Sequence, residues 1–139
     1  MGTEPVKPLS TGQWIRRWIR RVLRKRRTLM VAFWMVMSSS FDLGQLLLAA
    51  FNSPVMPEFI SSLPIAAVDG TLKNRFTDTP VKGLAHMKTG ALNNVRALAG
   101  YLLDKSGRRV IIVFFVNHDQ AGQSRAAMDT LVQWIYNRP

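Results

Sequence analysis
The chain has 139 residues, the size of one ordinary domain, and carries 19 Lys/Arg against 8 Asp/Glu for a formal charge of +11. It has no cysteine, which excludes disulfides and thiolate metal sites, and its two histidines, His86 and His118, lack metal-ligand spacing, so neither a metal nor a cofactor is expected. The charge is uneven: residues 1–40 hold nine basic residues and one acidic residue, whereas residues 41–139 hold ten and seven.

The first predicted element spans residues 14–27. Trp14, Ile15, Trp18, Ile19, Val22 and Leu23 recur at helical spacing, with Arg16, Arg17, Arg20 and Arg21 between them. A cationic amphipathic helix of this kind fits an anionic membrane surface or the phosphates of nucleic acid, with nucleic acid the less favoured partner. The apolar run "LMVAFWMVM" at 29–37 is far shorter than the roughly 20 residues of a spanning helix. A basic block before it and serines after it imitate a secretory signal, but no clear small-x-small cleavage site follows. Composition then shifts at Ser38-Ser39-Ser40, which divides the chain into a basic amphipathic or out-of-frame segment, 1–40, and a conventional domain sequence, 41–139.

In the second part, Leu43, Leu46, Leu47, Ala50 and Phe51 predict a helix, with Asp42 near its amino end. "SPVMPEFISSLP" is rich in proline and serine and reads as an irregular connector, and Asp69-Gly70 is a turn signal. Three strands are predicted over 83–92, 94–104 and 108–118, the last a β-branched and aromatic run of the type buried on both faces. Asn93-Asn94 and "DKSGRR" supply short turns, so the strands form an antiparallel meander. A final helix follows, with Ala127, Leu131, Trp134 and Ile135 as its apolar stripe. The sum is an α+β pattern.

Within the first strand, Lys88-Thr89-Gly90 is a weak motif alone. Its chemistry suits a carboxylate: a point charge, a directional hydroxyl, and a glycine that leaves the backbone open to close approach. The triplet also occurs among the motifs of penicillin-binding proteins and serine β-lactamases. Its neighbours sharpen the match, because Ser-Leu-Pro at 62–64, Asp-Gly-Thr-Leu at 69–72, the triplet, and Ala-Gly-Tyr at 99–101 occur in fixed order. In these motifs, residues 43–136 resemble the carboxy-terminal part of the D-alanyl-D-alanine carboxypeptidase/endopeptidase family, the low-molecular-mass class C penicillin-binding proteins of the cell envelope.

The resemblance implies a partial penicillin-binding-protein/serine β-lactamase-like fold, with the triplet on the strand that borders the active-site groove. It implies a peptidoglycan stem peptide or a β-lactam as ligand, held at its carboxylate by Lys88 and Thr89. Gly90 would keep the strand surface open, and the backbone N–H of Ala91 would be one of two oxyanion donors. The position of Ala91 is commonly threonine in the family, a difference that a backbone donor tolerates. Asp69 and Gly70 would serve as a structural turn. His86 lies on the Lys88 face of the strand, where it either lines the groove or is a surface residue. Arg75 and Arg96 read as surface charges, Trp134 and Tyr136 as helix-packing residues, and His118 and Asp119 as part of the last turn.

The family's nucleophile is the serine of a Ser-x-x-Lys motif, faced by a Ser-x-Asn motif. No serine of this chain has lysine three residues on or asparagine two residues on. The chain therefore carries a carboxylate-binding wall without a nucleophile. The Arg- and Trp-rich start joined to a well-formed family sequence reads as a truncated or frameshifted product. The alternative is a small cationic protein working through residues 14–27 at a membrane surface or on nucleic acid.

Overall fold
A computed structural model describes residues 40–139. The amphipathic segment with Trp14, Arg16, Arg17, Trp18, Arg20 and Arg21 lies outside the described residues, as do the apolar run at 29–37 and the first two residues of the serine boundary. In chain order the elements are α1 (Ser40–Phe51), α2 (Met56–Ser61), a 3-10 turn (Gly70–Leu72), β1 (Ala85–Leu92), β2 (Val95–Leu103), β3 (Arg109–Asn117), a second 3-10 turn (Ala121–Ser124) and α3 (Arg125–Asn137).

The three strands form one antiparallel sheet in the order β1-β2-β3, the predicted meander. The register follows from the turns, since Leu92 opposes Val95 across Asn93-Asn94 and Leu103 opposes Arg109 across the second turn. Alternate side chains of the sheet enter two separate cores. Met87, Leu98, Leu102 and Ile112 face Leu72, Val81 and the α3 residues Met128 and Val132. Ala99 and Tyr101 face Leu43, Leu46, Leu47 and Ala50 of α1 and Phe59 of α2. The sheet is thus a middle layer between α3 on one face and α1 with α2 on the other.

Four expectations are corrected by these packing relations. The proline-rich connector contains α2, because Pro57 sits in the first turn, where a missing N–H costs nothing, and Phe59 supplies a buried anchor. Between its exposed ends, Arg109 and Asn117, β3 is only half-buried apart from Ile112: no strand lies beyond it among the described residues, so its apolar run marks the outer edge of the described sheet. The buried face of α3 is Met128 and Val132 with Ile135 and Tyr136 against it, one helical step away from the predicted stripe. Ala127 is exposed, and Trp134 is 60% exposed with the Arg138 guanidinium over its ring, so Trp134 is not a core-packing residue.

The fourth correction concerns Arg75, which is a buried charge, 7% exposed, paired with Asp129 of α3. Its guanidinium reaches the carboxylate through Nε, 3.0 Å from Oδ1, and through Nη2. The pair joins the chain after the first 3-10 turn to the last helix. A second buried charged residue, Asp104, organises the β2–β3 turn: its Oδ1 accepts N–H bonds from Ser106 (2.9 Å) and Arg108 (2.8 Å), and its Oδ2 accepts from Arg108 Nε (2.8 Å). Burial pushes its carboxyl pKa up, but the bonds from Arg108 and Ser106 outweigh that and hold it below the usual carboxylate value.

Candidate functional site
The outer edge of β1 changes character along its length. At its start it is covered by the segment after α2. Ser62 Oγ donates to Phe59 O (2.6 Å) as the helix ends, Leu63 is buried, and Pro64 O accepts the Met87 N–H (2.9 Å). Ala66 N–H donates to Ala85 O (2.9 Å), and Ile65 bridges His86. This explains the Ser-Leu-Pro motif physically, because a proline with no N–H to satisfy can lie on a sheet edge and still lend its carbonyl. The cover stops at Met87. Backbone groups alternate along a strand, so Thr89 and Ala91, two and four residues beyond Met87, present their N–H and C=O to the same outer edge. No strand pairs with them there among the described residues.

The triplet sits where that cover ends. Lys88 and Thr89 are half-buried and Ala91 is exposed. Lys88 Nζ donates to Thr89 O (2.8 Å), which sets the ammonium at the open edge, and burial lowers its pKa below the ordinary lysine value. Thr89 Oγ1 lies 3.0 Å from Thr71 Oγ1, a contact between the triplet and the Asp-Gly-Thr turn that the sequence reading missed. The signal for it was present, since Thr71 is part of the quoted Asp-Gly-Thr-Leu run. Asp69 Oδ1 accepts the Ile65 N–H (2.6 Å), and Gly70 takes φ +54°, where a Cβ would lie 3.0 Å from the Pro64 ring. These two residues therefore hold the 3-10 turn against the segment that covers β1, and place Thr71 beside Thr89.

The Ala-Gly-Tyr motif on β2 has a supporting role. Ala99 opposes Lys88 and Gly100 opposes Met87. The Tyr101 hydroxyl donates to Leu47 O of α1 (2.6 Å), and its ring meets Phe51 and, edge-on, Phe59. Burial pushes the Tyr101 phenol well above its ordinary pKa, so it stays a neutral donor. Arg96 is also more than a surface charge, because its Nη1 donates to Leu92 O and to Val95 O (2.9 Å) and clamps the β1–β2 hairpin. His118 and Asp119 belong to the turn after β3: the Asp119 carboxylate accepts from Asn94 Nδ2 (3.0 Å), and His118 Nδ1 accepts the Gln120 N–H (3.0 Å).

His86 shares the Lys88 face of β1, and its Nδ1 is buried with no hydrogen-bond partner among the described residues. Burial, and then the charge of Arg109, hold its pKa below the ordinary value of 6.5, against weaker opposing effects of the Ile60 backbone and Asp69. In the window below 6.5 the unfolded chain binds more protons than the folded one, so stability falls as pH drops through that window. The urea midpoint is expected to fall between pH 7.5 and pH 5, and His86→Phe is expected to flatten that fall. An equal pH dependence in both proteins would contradict the assignment. No group of three or more His, Asp or Glu side chains able to hold a metal ion occurs among the described residues.

A three-strand sheet with helices on both faces, its Lys-Thr-Gly strand open at one edge, defines a part of the penicillin-binding-protein class of fold. Residues 38–138 match the D-Ala-D-Ala carboxypeptidase 3 (S13) family, and the chain belongs to that family. The chain is 38% identical over 88 residues to the carboxypeptidase DacB of Mycolicibacterium smegmatis, covering 60% of this chain and 19% of that protein. It is 34% identical over 82 residues to the D-alanyl-D-alanine carboxypeptidase DacB of Haemophilus influenzae, covering 56% of this chain and 17% of that protein. The crystal structure of penicillin binding protein 4 (dacB) from Haemophilus influenzae superposes with a TM-score of 0.58 at 27% identity, over 69% of this chain and 23% of that one. The same protein complexed with a novel β-lactam gives 0.59, also at 27% identity, over 69% and 24% of the two chains. The chain spans about a fifth of the length of the curated relatives it matches.

Proposed function
We propose that residues 41–139 form the carboxylate-binding wall of a serine-type D-Ala-D-Ala carboxypeptidase/endopeptidase acting on peptidoglycan stem peptides in the cell envelope. On this reading residues 1–40 are a separate segment and the nucleophile lies outside these 139 residues. The observation that carries the reading is the open edge of β1 beyond Met87, where Lys88 Nζ lies against Thr89 O and the outward backbone of Thr89 and Ala91 has no partner strand among the described residues. The match of residues 38–138 to the family supports it.

The chemistry assigned to each group follows from its type. Lys88 attracts the terminal carboxylate, and because burial already weakens the ammonium's hydration, an anion at that point restores the balance. Thr89 donates to Thr71 in the free chain, and adds a directed hydrogen bond to the carboxylate when the two hydroxyls turn so that Thr71 donates to Thr89. The Ala91 N–H, already aimed outward, stabilises the oxyanion that forms when a serine attacks the penultimate D-alanine carbonyl. The peptide bond to the last D-alanine then breaks, the acyl group passes to the serine oxygen, and water releases it. The serine and its lysine belong to sequence not contained in this chain.

Incubation of the purified chain with a fluorescent penicillin, followed by denaturing gel and intact mass, is expected to give no covalent adduct, because no serine here has an activating lysine. Stoichiometric acylation would overturn the assignment of the nucleophile to other sequence.

A further inference from the structure
At the end of the sheet opposite the Asn93-Asn94 hairpin, the β2–β3 turn and the last residues of α3 enclose a recess of about 420 Å³. Arg108, Arg109 and Arg138 line it, together with Val110, Ile111 and Ile135. Its one acidic side chain, Asp104, is committed to Arg108, whose Nη2 also donates to an oxygen of Pro139, the last residue of the sequence (3.1 Å). Arg109 and Arg138 have no carboxylate partner among the described residues, and Arg138 is steadied by the Trp134 ring at 5.3 Å. The positive charge of Arg109 is felt beyond the recess: it adds to burial in lowering the His86 pKa and opposes the larger effect of burial at Tyr101.

Like charges gathered around one recess repel one another, and an anion bound between them relieves that repulsion. A carboxylate is satisfied by one guanidinium fork, whereas a tetrahedral oxyanion offers acceptor oxygens in several directions at once. We propose that this recess is a binding site for a phosphate-class oxyanion, held by Arg109 and Arg138 and remote from the Lys88 edge. The source is either a soluble phosphate ester or the phosphate of an anionic lipid headgroup.

The test uses the full chain at low ionic strength, where such contacts are least screened. The side-chain Nε–Hε signals of Arg109 and Arg138 and the Trp134 indole signal are followed by NMR. Inorganic phosphate, glycerol phosphate, and vesicles of phosphatidylglycerol or phosphatidylcholine are added in separate titrations. Saturable shifts at these three residues are expected, weakened about three- to fivefold by Arg109→Gln or Arg138→Gln and left unchanged by Arg125→Gln. An unaltered amide spectrum of each exposed-residue variant certifies its fold. Saturation by the soluble phosphates upholds the site with an ester as its source, and saturation by phosphatidylglycerol vesicles alone upholds it with a headgroup. The proposal is overturned by the absence of saturable shifts with every probe, by equal response to phosphatidylcholine, or by an equal loss in the Arg125→Gln control.

Discussion

Replacing Gly100 with alanine is expected to lower stability by about 3 to 5 kcal/mol. Gly100 stands opposite Met87 with φ +154°, and a Cβ there would lie 2.1 Å from His86 O and 2.7 Å from Met87 Cα. Both atoms are backbone of β1, so no side-chain rotation relieves the clash. Either β1 shifts away from β2 or the local pairing breaks, and in both cases Lys88 and Thr89, one and two residues along, lose their placement. Urea denaturation of the variant checks this. A midpoint within error of the parent would show that the close approach is not required.

The second large effect concerns the pair Arg75–Asp129. Asp129→Ala is expected to cost about 3 to 5 kcal/mol, because it leaves a guanidinium that is 7% exposed without its counter-ion. Asp129 itself is 22% exposed, which places the value toward the lower end of that range. The double variant Arg75→Met/Asp129→Leu removes both charges together and is expected to be closer to the parent than Asp129→Ala is. Thermal unfolding of the three proteins makes the comparison. If the double variant were as unstable as Asp129→Ala, the loss would come from packing and not from an unpaired buried charge.

These two sites differ in how far they could be read from the sequence. Gly100 lies in the Ala-Gly-Tyr motif, so its position was marked, although the reason for the glycine emerges only when β1 and β2 are paired. Arg75 gave no such mark. Its partner is 54 residues away, and a lone arginine in a polar stretch has the local pattern of a surface charge. Asp104 was hidden in the same way, inside a turn sequence whose polarity suggested solvent.

The sheet was legible because its information is local: apolar runs of strand length, separated by Asn93-Asn94 and "DKSGRR", allow few topologies other than a meander. The helices were less so. α2 was masked by prolines that the first turn of a helix tolerates. In α3 two apolar stripes compete, and the sequence favoured the one with Trp134 and Leu131. The sheet instead buries Met128 and Val132, whose side chains match the space above Leu98 and Leu102. The depth of burial of β3 depends on what lies beyond its edge, which its own residues cannot specify.

The candidate site divides along the same line. Lys88, Thr89, Gly90 and Ala91 were marked by motif, and the order of the motifs led to the family. The contact of Thr89 with Thr71, the cover of β1 by Pro64 and Ala66, and the buried Nδ1 of His86 depend on chain segments that meet only in the fold. Together these contacts leave β1 open from Thr89 onward, and that opening is the basis for assigning the strip to a ligand.

The most direct test of that assignment is an NMR titration of the chain with a D-Ala-D-Ala dipeptide acetylated at its amino end. The account predicts saturable shifts at the Thr89 and Ala91 amides, lost in Lys88→Met and absent with the same dipeptide amidated at its carboxyl end. Equal shifts with the amidated dipeptide, or in Lys88→Met, would contradict the assignment of the β1 edge as a carboxylate-binding wall.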